Sequence, residues 1–297
     1  WEDLIRGTQK IDMSSVSDPV IRRGDGTWLY SLPSVVDDMD FNVSHVIRGE
    51  DHVTNTATQI EMIAALGGQV PAFAHFSLLL AEDGSALSKR LGDLMNDLTL
   101  RELCKAGYEA MALNSLLARL GTSDAVVPVQ SMDELIADFD IARLGRAPAR
   151  FNRQDVARLN ARILHDMAYA VAQPRLAALG VTQDENFWQV ARGNLNLFSD
   201  ITAIQNLIEG QVTPVIESQN ADYLAQALAA LPAAPLDGDS WTIWTTALKQ
   251  QTGRKGRDLF MPLRLALTGQ AHGPEMNFLL PLIGYDKAAI RLSGKTG

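Results

Sequence analysis

Residues Asn42–Asn55 read NVSHVIRGEDHVTN, which predicts a strand followed at once by charged residues. Val43, His45 and Ile47 alternate with the residues between them, as expected for a mostly buried strand. The strand breaks at Gly49, so the charged residues that follow leave from its carboxyl end.

A helix and a second strand are predicted to follow. Thr54 or Asn55 can cap a helix that runs to about Leu66 and stops at two glycines. The inner face of this helix is expected to contain Ile60, Ile63, Ala64 and Leu66. The apolar run Phe76–Leu80 has the length and composition of a buried strand. Val43–Leu80 therefore predicts a strand–helix–strand unit, right-handed by default.

A basic loop, Ser88–Arg90, follows the second strand within the stretch HFSLLLAEDGSALSKRLG. Cations on a glycine-flanked loop can stabilise negative charge that develops on phosphate oxygens in phosphoryl or nucleotidyl transfer. Ligands of open parallel sheets bind at the carboxyl ends of the strands, so Arg48, Asp51 and His52 are expected at the same rim. On the residues alone, an ordinary exposed basic loop remains the alternative.

A further helix is predicted to begin near Ser31, with Pro33 tolerated in its first turn. Tyr30, Ser34 and Asp37 then fall on one face. A phenol, a hydroxyl and a carboxylate on one face can orient a small zwitterionic substrate. A core tyrosine beside an aspartate pair that ends a helix is the structural alternative.

Composition limits the possible classes. A chain of 297 residues usually forms about two domains, and no apolar run approaches the roughly 18 residues needed to cross a bilayer. Cys104 is the single cysteine, which excludes an internal disulfide and a multi-cysteine zinc site. We expect it to be a small core residue, in a reducing, cytoplasmic setting.

Positive charge is clustered although the net charge of the chain is −9. Arg143–Arg162 carries six arginines and one acid, and Lys249–Arg264 carries five cations and one acid. Such clusters suit contacts to a phosphate backbone. The alternative is that the arginines solvate helix faces and pair with nearby acids.

The rest of the chain has a helical pattern, with a linker at Pro232–Gly238. We expect the break between an α/β part and a helical part within Asn96–Gln173. The predicted helices are Thr99–Lys105, Met111–Leu120, Ser131–Phe139, Asp155–Met167, Ala221–Leu231, Trp241–Gln251 and Leu259–Thr268.

Four blocks resemble bacterial glutamyl-tRNA synthetases, which are class I aminoacyl-tRNA synthetases: WLYSLPSVVDDMD, HVIRGEDHVTNT, LSKRLG and GRKGRDLFMPLRLALTGQAHGPE. The resemblance implies an α/β half-Rossmann catalytic remnant followed by a mainly α-helical anticodon-binding domain. Members of the family carry a HIGH-type signature that this sequence lacks, so we expect the carboxy-terminal two-thirds of such an enzyme. Residues 1–96 would be the second half of the catalytic domain with its KMSKS-type loop, 97–165 a helical stem-contact region, and 166–297 the anticodon-binding domain.

The resemblance also implies roles for individual residues. Tyr30, Ser34 and Arg48 would line the glutamate pocket, where a guanidinium can bind a carboxylate in bidentate fashion. The residues implied to bind ATP are Asp51, His52, Leu79, Ala86, Leu87, Ser88, Lys89 and Arg90. Asp51 would bind the ribose hydroxyls, and the backbone of Leu79 would read the adenine edge.

The KMSKS-type loop is similar to Ala86–Arg90, with Ala86 in place of its first lysine. Ser88, Lys89 and Arg90 would be catalytic, and Lys89 would engage the phosphates as pyrophosphate leaves. In the helical part, the resemblance implies that Arg254, Lys255 and Arg257 contact tRNA. A glycine-broken turn that caps the helix after it is the alternative.

The implied reaction activates glutamate with ATP to glutamyl-adenylate and transfers glutamate to the 3′ end of tRNA(Glu). ATP with Mg²⁺ is expected as a substrate complex, with no zinc site in the chain, no membrane and a monomeric state. Two alternatives stay open: a catalytically incomplete tRNA-binding fragment, and a paralogue with altered tRNA specificity. The chain alone is expected to be inactive without the HIGH-bearing half. The sequence does not distinguish whether tRNA(Gln) is also charged.

Overall fold

The computed structural model describes residues 1–85 and 99–297. By contacts the chain divides into two compact units, which are taken separately below. The first unit comprises Trp1–Ala106 and Ala110–Leu159, and the second comprises Gly107–Glu109 and Asn160–Gly297. The three-part division at residues 96 and 165 stays a prediction.

A mixed four-stranded sheet organises the first unit. Its strands are β1 (Glu2–Asp3), β2 (Gly7–Thr8), β3 (His45–Gly49) and β4 (Ala72–Phe76), in the order β2-β1-β4-β3. β1 is antiparallel to β2 and parallel to β4, and β3 is parallel to β4. The α/β prediction for this part of the chain is therefore confirmed.

The strand–helix–strand unit is present, with α2 (Val53–Ala65) between β3 and β4. Two of its predicted details are wrong. The helix begins at Val53, so Thr54 and Asn55 lie inside its first turn instead of capping it. Ile63 is buried as predicted, whereas Ala64 and Leu66 are exposed. The polar residues Thr56 and Gln59 occupy part of the inner face.

The boundary of the second strand also differs from the prediction. The run Phe76–Leu80 is divided between two sheets, because β4 ends at Phe76 and β5 (Leu79–Leu80) pairs with β6 (Ala149–Arg150). The true strand begins earlier and includes His75, a polar residue that the sequence pattern placed outside the strand. β3 is also less buried than predicted, since it lies at the edge of the described sheet.

The remaining helices of the first unit carry one correction. Cys104 is exposed, so its assignment to the core is wrong; Leu103 beside it is the buried residue of its helix. The predicted helix near Ser31 is confirmed. The helices are α1 (Ser31–Asp40), α3 (Leu100–Lys105), α4 (Ala110–Leu117) and α5 (Met132–Ala137), while α6 (Arg153–Asp166) begins in the first unit and continues into the second.

The second unit is helical throughout its described secondary structure. Its core includes the indoles of Trp188 and Trp244, each fully buried. Each indole Nε1 donates a hydrogen bond to a backbone carbonyl, of Met167 and Ala227 respectively. The helices are α7 (Tyr169–Ala178), α8 (Glu185–Ala191), α9 (Ile201–Ile208), α10 (Ala221–Ala229), α11 (Ser240–Thr252), α12 (Arg257–Thr268), α13 (Met276–Ile283) and α14 (Tyr285–Leu292).

Three of these helices match the sequence pattern closely. α10, α11 and α12 confirm the predicted helices there, and Pro232–Gly238 connects α10 to α11 as expected. No helix in the described parts of the chain has the length and apolar character needed to cross a membrane.

Candidate active site

Arg48 is the centre of the candidate site. It lies near the carboxyl end of β3, opposite His75 of β4 in the strand register. Its Nε donates a hydrogen bond to His75 Nε2 at 3.3 Å. Its Nη2 donates to Thr56 Oγ1 at 2.7 Å and to Gln59 Oε1 at 2.6 Å, and Nη1 donates to the Tyr30 hydroxyl at 3.1 Å.

These four bonds determine what the guanidinium can offer to a ligand. A guanidinium has five N–H donors, so one N–H, on Nη1, remains available among the described residues. The bidentate grip predicted for Arg48 would require one of the four bonds to be released. In the geometry observed, Nη1 lies beside Tyr30, a residue that is 53% exposed.

The buried side of Arg48 rests on an Asp–His pair. His75 Nδ1 lies 2.5 Å from Asp3 Oδ2, and both side chains are fully buried. Asp3 Oδ1 accepts hydrogen bonds from the backbone N–H groups of Ile5, Arg6 and His75. Burial opposes ionisation of Asp3, but the hydrogen bonds from the His75 side chain and these backbone groups lower its pKa below the ordinary 3.8. Asp3 is therefore an anion at neutral pH.

A second chain of bonds joins Arg48 to Ser34. Gln59 accepts from Arg48 through Oε1 and donates through Nε2 to Ser34 Oγ at 2.8 Å. Ser34 in turn donates to the Ser31 carbonyl at 3.0 Å. The structure therefore brings Tyr30, Ser34 and Arg48 together, with Gln59 between Ser34 and Arg48.

Asp51 and His52 lie in a short 3₁₀ turn that connects β3 to α2. The His52 ring lies beside Tyr30, with ring centroids 5.6 Å apart. His52 Nδ1 is 3.3 Å from Asn55 Nδ2, and Asp51 is exposed. Both residues thus follow the carboxyl end of β3, where Arg48 lies. The rim that they were predicted to share with the Ser88–Arg90 loop stays a prediction, because the loop lies outside the described residues.

The other nucleotide-binding predictions lie on or beyond β5. Leu79 is in β5, where it pairs with Ala149 of β6, and its side chain is half-buried. Ala86, Leu87, Ser88, Lys89 and Arg90 lie outside the described residues. Their roles therefore stay predictions. Among the described residues, no group of three or more His, Cys, Asp or Glu side chains is arranged to hold a metal ion.

Sequence reasoning missed four residues of this site: Asp3, Thr56, Gln59 and His75. Thr56 and Gln59 lie three positions apart on the face of α2 that is otherwise apolar, and both are at most 2% exposed. Buried polar side chains need partners, so polar residues on the inner face of α2 were the available signal. Asp3 and His75 are 72 residues apart, and no local pattern links them.

The basic turn before α12 contains two kinds of cation. Arg254 donates to Asn220 Oδ1 at 2.7 Å and to the Asp258 carbonyl at 3.2 Å, and its guanidinium lies 4.1 Å from the Tyr223 ring centroid. Lys255 and Arg257 are exposed. Burial raises the pKa of Tyr223 to about 12, although the charge of Arg254 opposes that shift. Arg254 therefore packs the turn, while the other two side chains face solvent.

The arginine cluster at 143–162 is largely engaged with the protein itself. Arg143 pairs with Asp124 at 2.9 Å and with Asp138 at 3.2 Å. Arg146 donates to the Ile5 carbonyl, Arg150 donates to the Glu82 carbonyl, and Arg158 pairs with Asp155. For these arginines the structure favours the alternative in which they pair with neighbouring groups.

Comparison with known proteins places this architecture in a family. A family model described as the catalytic domain of class I tRNA synthetases (E and Q) matches residues 1–158. A model described as an anticodon binding domain matches residues 196–294. The chain therefore belongs to the class I tRNA synthetase (E and Q) family, and the resemblance found in the sequence is confirmed.

Two curated relatives of high identity are both glutamate–tRNA ligases. Glutamate–tRNA ligase 1 of Parvibaculum lavamentivorans is 56% identical over 296 residues, covering 100% of this chain and 65% of the relative. Glutamate–tRNA ligase 2 of Methylorubrum populi is 50% identical over 298 residues, again covering 100% of this chain and 65% of the relative. This chain thus spans about 65% of the length of these relatives.

A solved structure supports the fold. The crystal structure of a glutamate tRNA ligase from Elizabethkingia meningosepticum, in complex with its amino acid, superposes with a TM-score of 0.80 at 24% identity. The match covers 98% of this chain and 64% of that one. The predicted order, an α/β catalytic part followed by a helical anticodon-binding part, is confirmed.

Proposed function

We propose that this protein acts as a glutamate–tRNA ligase, or as the part of one that selects glutamate and binds tRNA. The observation that carries the proposal is the Arg48–Tyr30 pair at the carboxyl end of β3, where Arg48 keeps one N–H beyond its four hydrogen bonds and Tyr30 is 53% exposed. Membership of the synthetase family and identity of 56% to a glutamate–tRNA ligase support it.

The donors at this pair favour a carboxylate ligand. Tyr30 accepts a hydrogen bond from Arg48, so its own proton is free to donate outward. The remaining Arg48 N–H donates in the same direction. A carboxylate offers two acceptor oxygens to two donors, one of them charged, which makes a strong and oriented contact. A carboxamide would place an NH₂ group against a donor.

ATP with Mg²⁺ is the proposed second substrate. Asp51 is proposed to accept hydrogen bonds from the ribose hydroxyls, with His52 and the backbone of Leu79 near the adenine. The Ala86–Arg90 loop is proposed to cover the phosphates. Ser88, Lys89 and Arg90 would stabilise the charge that develops on the leaving pyrophosphate, and Mg²⁺ would enter with the nucleotide.

The proposed chemistry has two balanced steps. An oxygen of the glutamate α-carboxylate attacks the α-phosphorus of ATP, and the bond to the bridging oxygen of the β-phosphate breaks to release pyrophosphate. A ribose hydroxyl at the 3′ end of tRNA(Glu) then attacks the activated carbonyl carbon. Loss of AMP leaves glutamate esterified to the tRNA.

The tRNA contact is proposed for the exposed part of the basic turn. Lys255 and Arg257 present their charges to solvent, so they can meet phosphates without first breaking internal bonds. Arg254 was grouped with them from the sequence; its contacts to Asn220 and Tyr223 support a role in holding the turn for the other two.

A second candidate is a protein that binds tRNA and does not activate glutamate. The observation that favours it is the match of an anticodon binding domain to residues 196–294. Glutamate-dependent exchange between pyrophosphate and ATP, measured with tRNA present, separates the two. The ligase proposal expects exchange and charging of tRNA(Glu) by the full-length gene product. Binding of tRNA without either activity would favour the second candidate, and parallel assays with tRNA(Gln) define the tRNA specificity.

Lys89→Ala tests the loop in the same assay. A cation that acts chiefly in the transition state lowers turnover with little effect on KM. We therefore expect exchange to slow by on the order of a hundredfold with near-normal KM for glutamate and ATP. An unchanged exchange rate would mean that Lys89 has no catalytic role and would favour the alternative of an ordinary exposed basic loop.

A further inference from the structure

The two oxygens of Asp3 have different tasks. Oδ1 accepts three backbone N–H groups, from Ile5 at 3.1 Å, Arg6 at 2.9 Å and His75 at 3.2 Å. Oδ2 faces only the His75 ring, 2.5 Å from Nδ1. The side chain is 2% exposed, so the backbone bonds fix which oxygen meets the ring.

The hydrogen bond from Arg48 selects one tautomer of His75. Arg48 Nε carries a hydrogen and has no lone pair to share, so His75 Nε2 must accept from it. Nε2 is therefore unprotonated, and the ring proton lies on Nδ1, where it donates to the Asp3 carboxylate. Thr56 Oγ1 lies 2.9 Å from Nε2 and 3.1 Å from the His52 carbonyl, and its single proton can be donated to either acceptor.

We propose that Asp3 and His75 are positioning residues that fix the guanidinium of Arg48 for substrate selection. The proposal rests on the glutamate–tRNA ligase function proposed above. Asp3 holds the His75 tautomer, His75 Nε2 holds Arg48 Nε, and Thr56 with Gln59 hold Nη2. Only Nη1 is left to face Tyr30 and a ligand. Neither Asp3 nor His75 touches the substrate.

This arrangement also explains why Arg48 and Tyr30 both present hydrogen-bond donors to the proposed ligand. With Nε and Nη2 held from behind, the guanidinium cannot turn to accommodate another ligand shape. Its Nη1 donates to Tyr30 at 3.1 Å, which leaves the Tyr30 proton pointing outward. The buried anion of Asp3 is two hydrogen bonds removed from Arg48 and three from Tyr30. It thus secures two outward donors for a carboxylate.

Asp3→Asn tests the proposal with little change in shape. The three backbone N–H groups require an acceptor at the Oδ1 position, so the new amide must place its oxygen there and its NH₂ towards His75. That NH₂ donates to Nδ1, which moves the ring proton to Nε2, where it opposes the N–H of Arg48. Replacing an aspartate by asparagine reverses a histidine tautomer by the same logic in serine proteases.

The expected kinetic result is selective. In the full-length gene product, Asp3→Asn should raise KM for glutamate roughly tenfold or more, as for a lost bond to a charged group. KM for ATP should stay nearly unchanged. Asp12→Asn is the matched control, because Asp12 also accepts a backbone N–H, from Ser14, and is exposed. The control should leave both constants unchanged.

His75→Gln supplies the rescue. A glutamine amide has no ring tautomer and can turn its oxygen towards Arg48 whichever residue occupies position 3. Asp3→Asn should therefore have a much smaller effect on KM for glutamate in the His75→Gln background than in wild type. Equal effects in both backgrounds would show that Asp3 acts independently of the ring, against the proposal.

Nitrogen-15 NMR of histidine-labelled protein reads the tautomer without any substrate. The chain has five histidines, and the signal that disappears in His75→Gln identifies His75. We expect a protonated Nδ1 in wild type and a protonated Nε2 in Asp3→Asn. Protonated Nε2 in an active wild-type ligase would overturn the positioning role. A protonated Nδ1 in a protein that does not use glutamate would instead overturn the proposed function, and the substrate selection inferred from it.

Discussion

Two arginines of this protein are held by dense hydrogen bonding, one in each unit, and their partners differ in kind. Arg291 is fully buried and donates to the backbone carbonyls of Leu207, Leu267, Gly210 and Gly297. Arg48 is partly buried and donates to four side chains. Carbonyl partners tie Arg291 to the backbone itself, whereas side-chain partners aim Arg48 and leave one N–H open.

The comparison separates a structural arginine, Arg291, from the proposed ligand-binding arginine, Arg48, by the groups that accept their hydrogen bonds. Arg291 reaches the carbonyls of residues at the carboxyl ends of α9 and α12, groups that a helix leaves unsatisfied. Burial lowers the pKa of Arg291 below its usual range. Arg48 instead keeps a donor directed to the rim beside an exposed tyrosine. An open donor at a strand end is what a ligand-binding residue requires.

The largest expected effect on stability comes from Arg291→Met. This variant keeps much of the volume but leaves several buried carbonyls without donors, each costing about 1–3 kcal/mol. We expect the free energy of unfolding to fall by roughly 3–5 kcal/mol, measured by denaturant titration of the second unit's tryptophan fluorescence. A shift below about 1 kcal/mol would show that these bonds are dispensable and would break the comparison.

The two arginines also differ in how well their roles could be predicted from the sequence. Arg48 was identified because the alternation of Val43–Ile47 and the break at Gly49 are local signals of a strand end. Its supporting residues were missed, because Asp3 and His75 meet across 72 residues and Gln59 looks like an ordinary helix residue. Arg291 was not singled out at all, since its partners are backbone atoms that carry no sequence signal.

The next effect concerns Arg48 itself. Arg48→Ala in the full-length gene product should raise KM for glutamate by roughly tenfold or more, since a charged contact contributes about 1.5–3 kcal/mol. KM for ATP should change little. Arg48→Lys keeps the charge but loses the planar fork, and should behave more like the alanine variant than like wild type. Recovery of glutamate affinity by lysine would mean that charge alone matters.

A smaller effect is expected in the basic turn of the second unit. Lys255→Gln together with Arg257→Gln should weaken tRNA binding and reduce its salt dependence by about one unit of log–log slope per lost phosphate contact. The melting temperature should hardly change, because exposed charges contribute little to stability. Arg254→Gln is the matched variant and should mainly lower the melting temperature. If Arg254→Gln weakened tRNA binding and the double variant lowered the melting temperature, Arg254 would be the tRNA contact and the other two would stabilise the turn.

The smallest expected effect is the loss of folding stability at acid pH that Asp3 causes. The folded-state pKa of Asp3 lies below its usual 3.8, so its contribution is present above that value and is lost as pH falls through the lowered pKa. The stability of wild type should therefore fall more steeply than that of Asp3→Asn across this acid range. Parallel pH profiles of the two proteins in denaturant titrations would contradict the assignment.

Comparison of kcat/KM for glutamate and for glutamine, in charging of tRNA(Glu) by the full-length gene product, tests the central claim most directly. Two outward donors fixed by Arg48 and Tyr30 should favour glutamate by at least about a hundredfold. Arg48→Gln replaces the charged guanidinium by a neutral amide. It should lose most of that preference because its kcat/KM for glutamate falls. Comparable use of the two amino acids by wild type, or an unchanged preference in Arg48→Gln, would contradict the account.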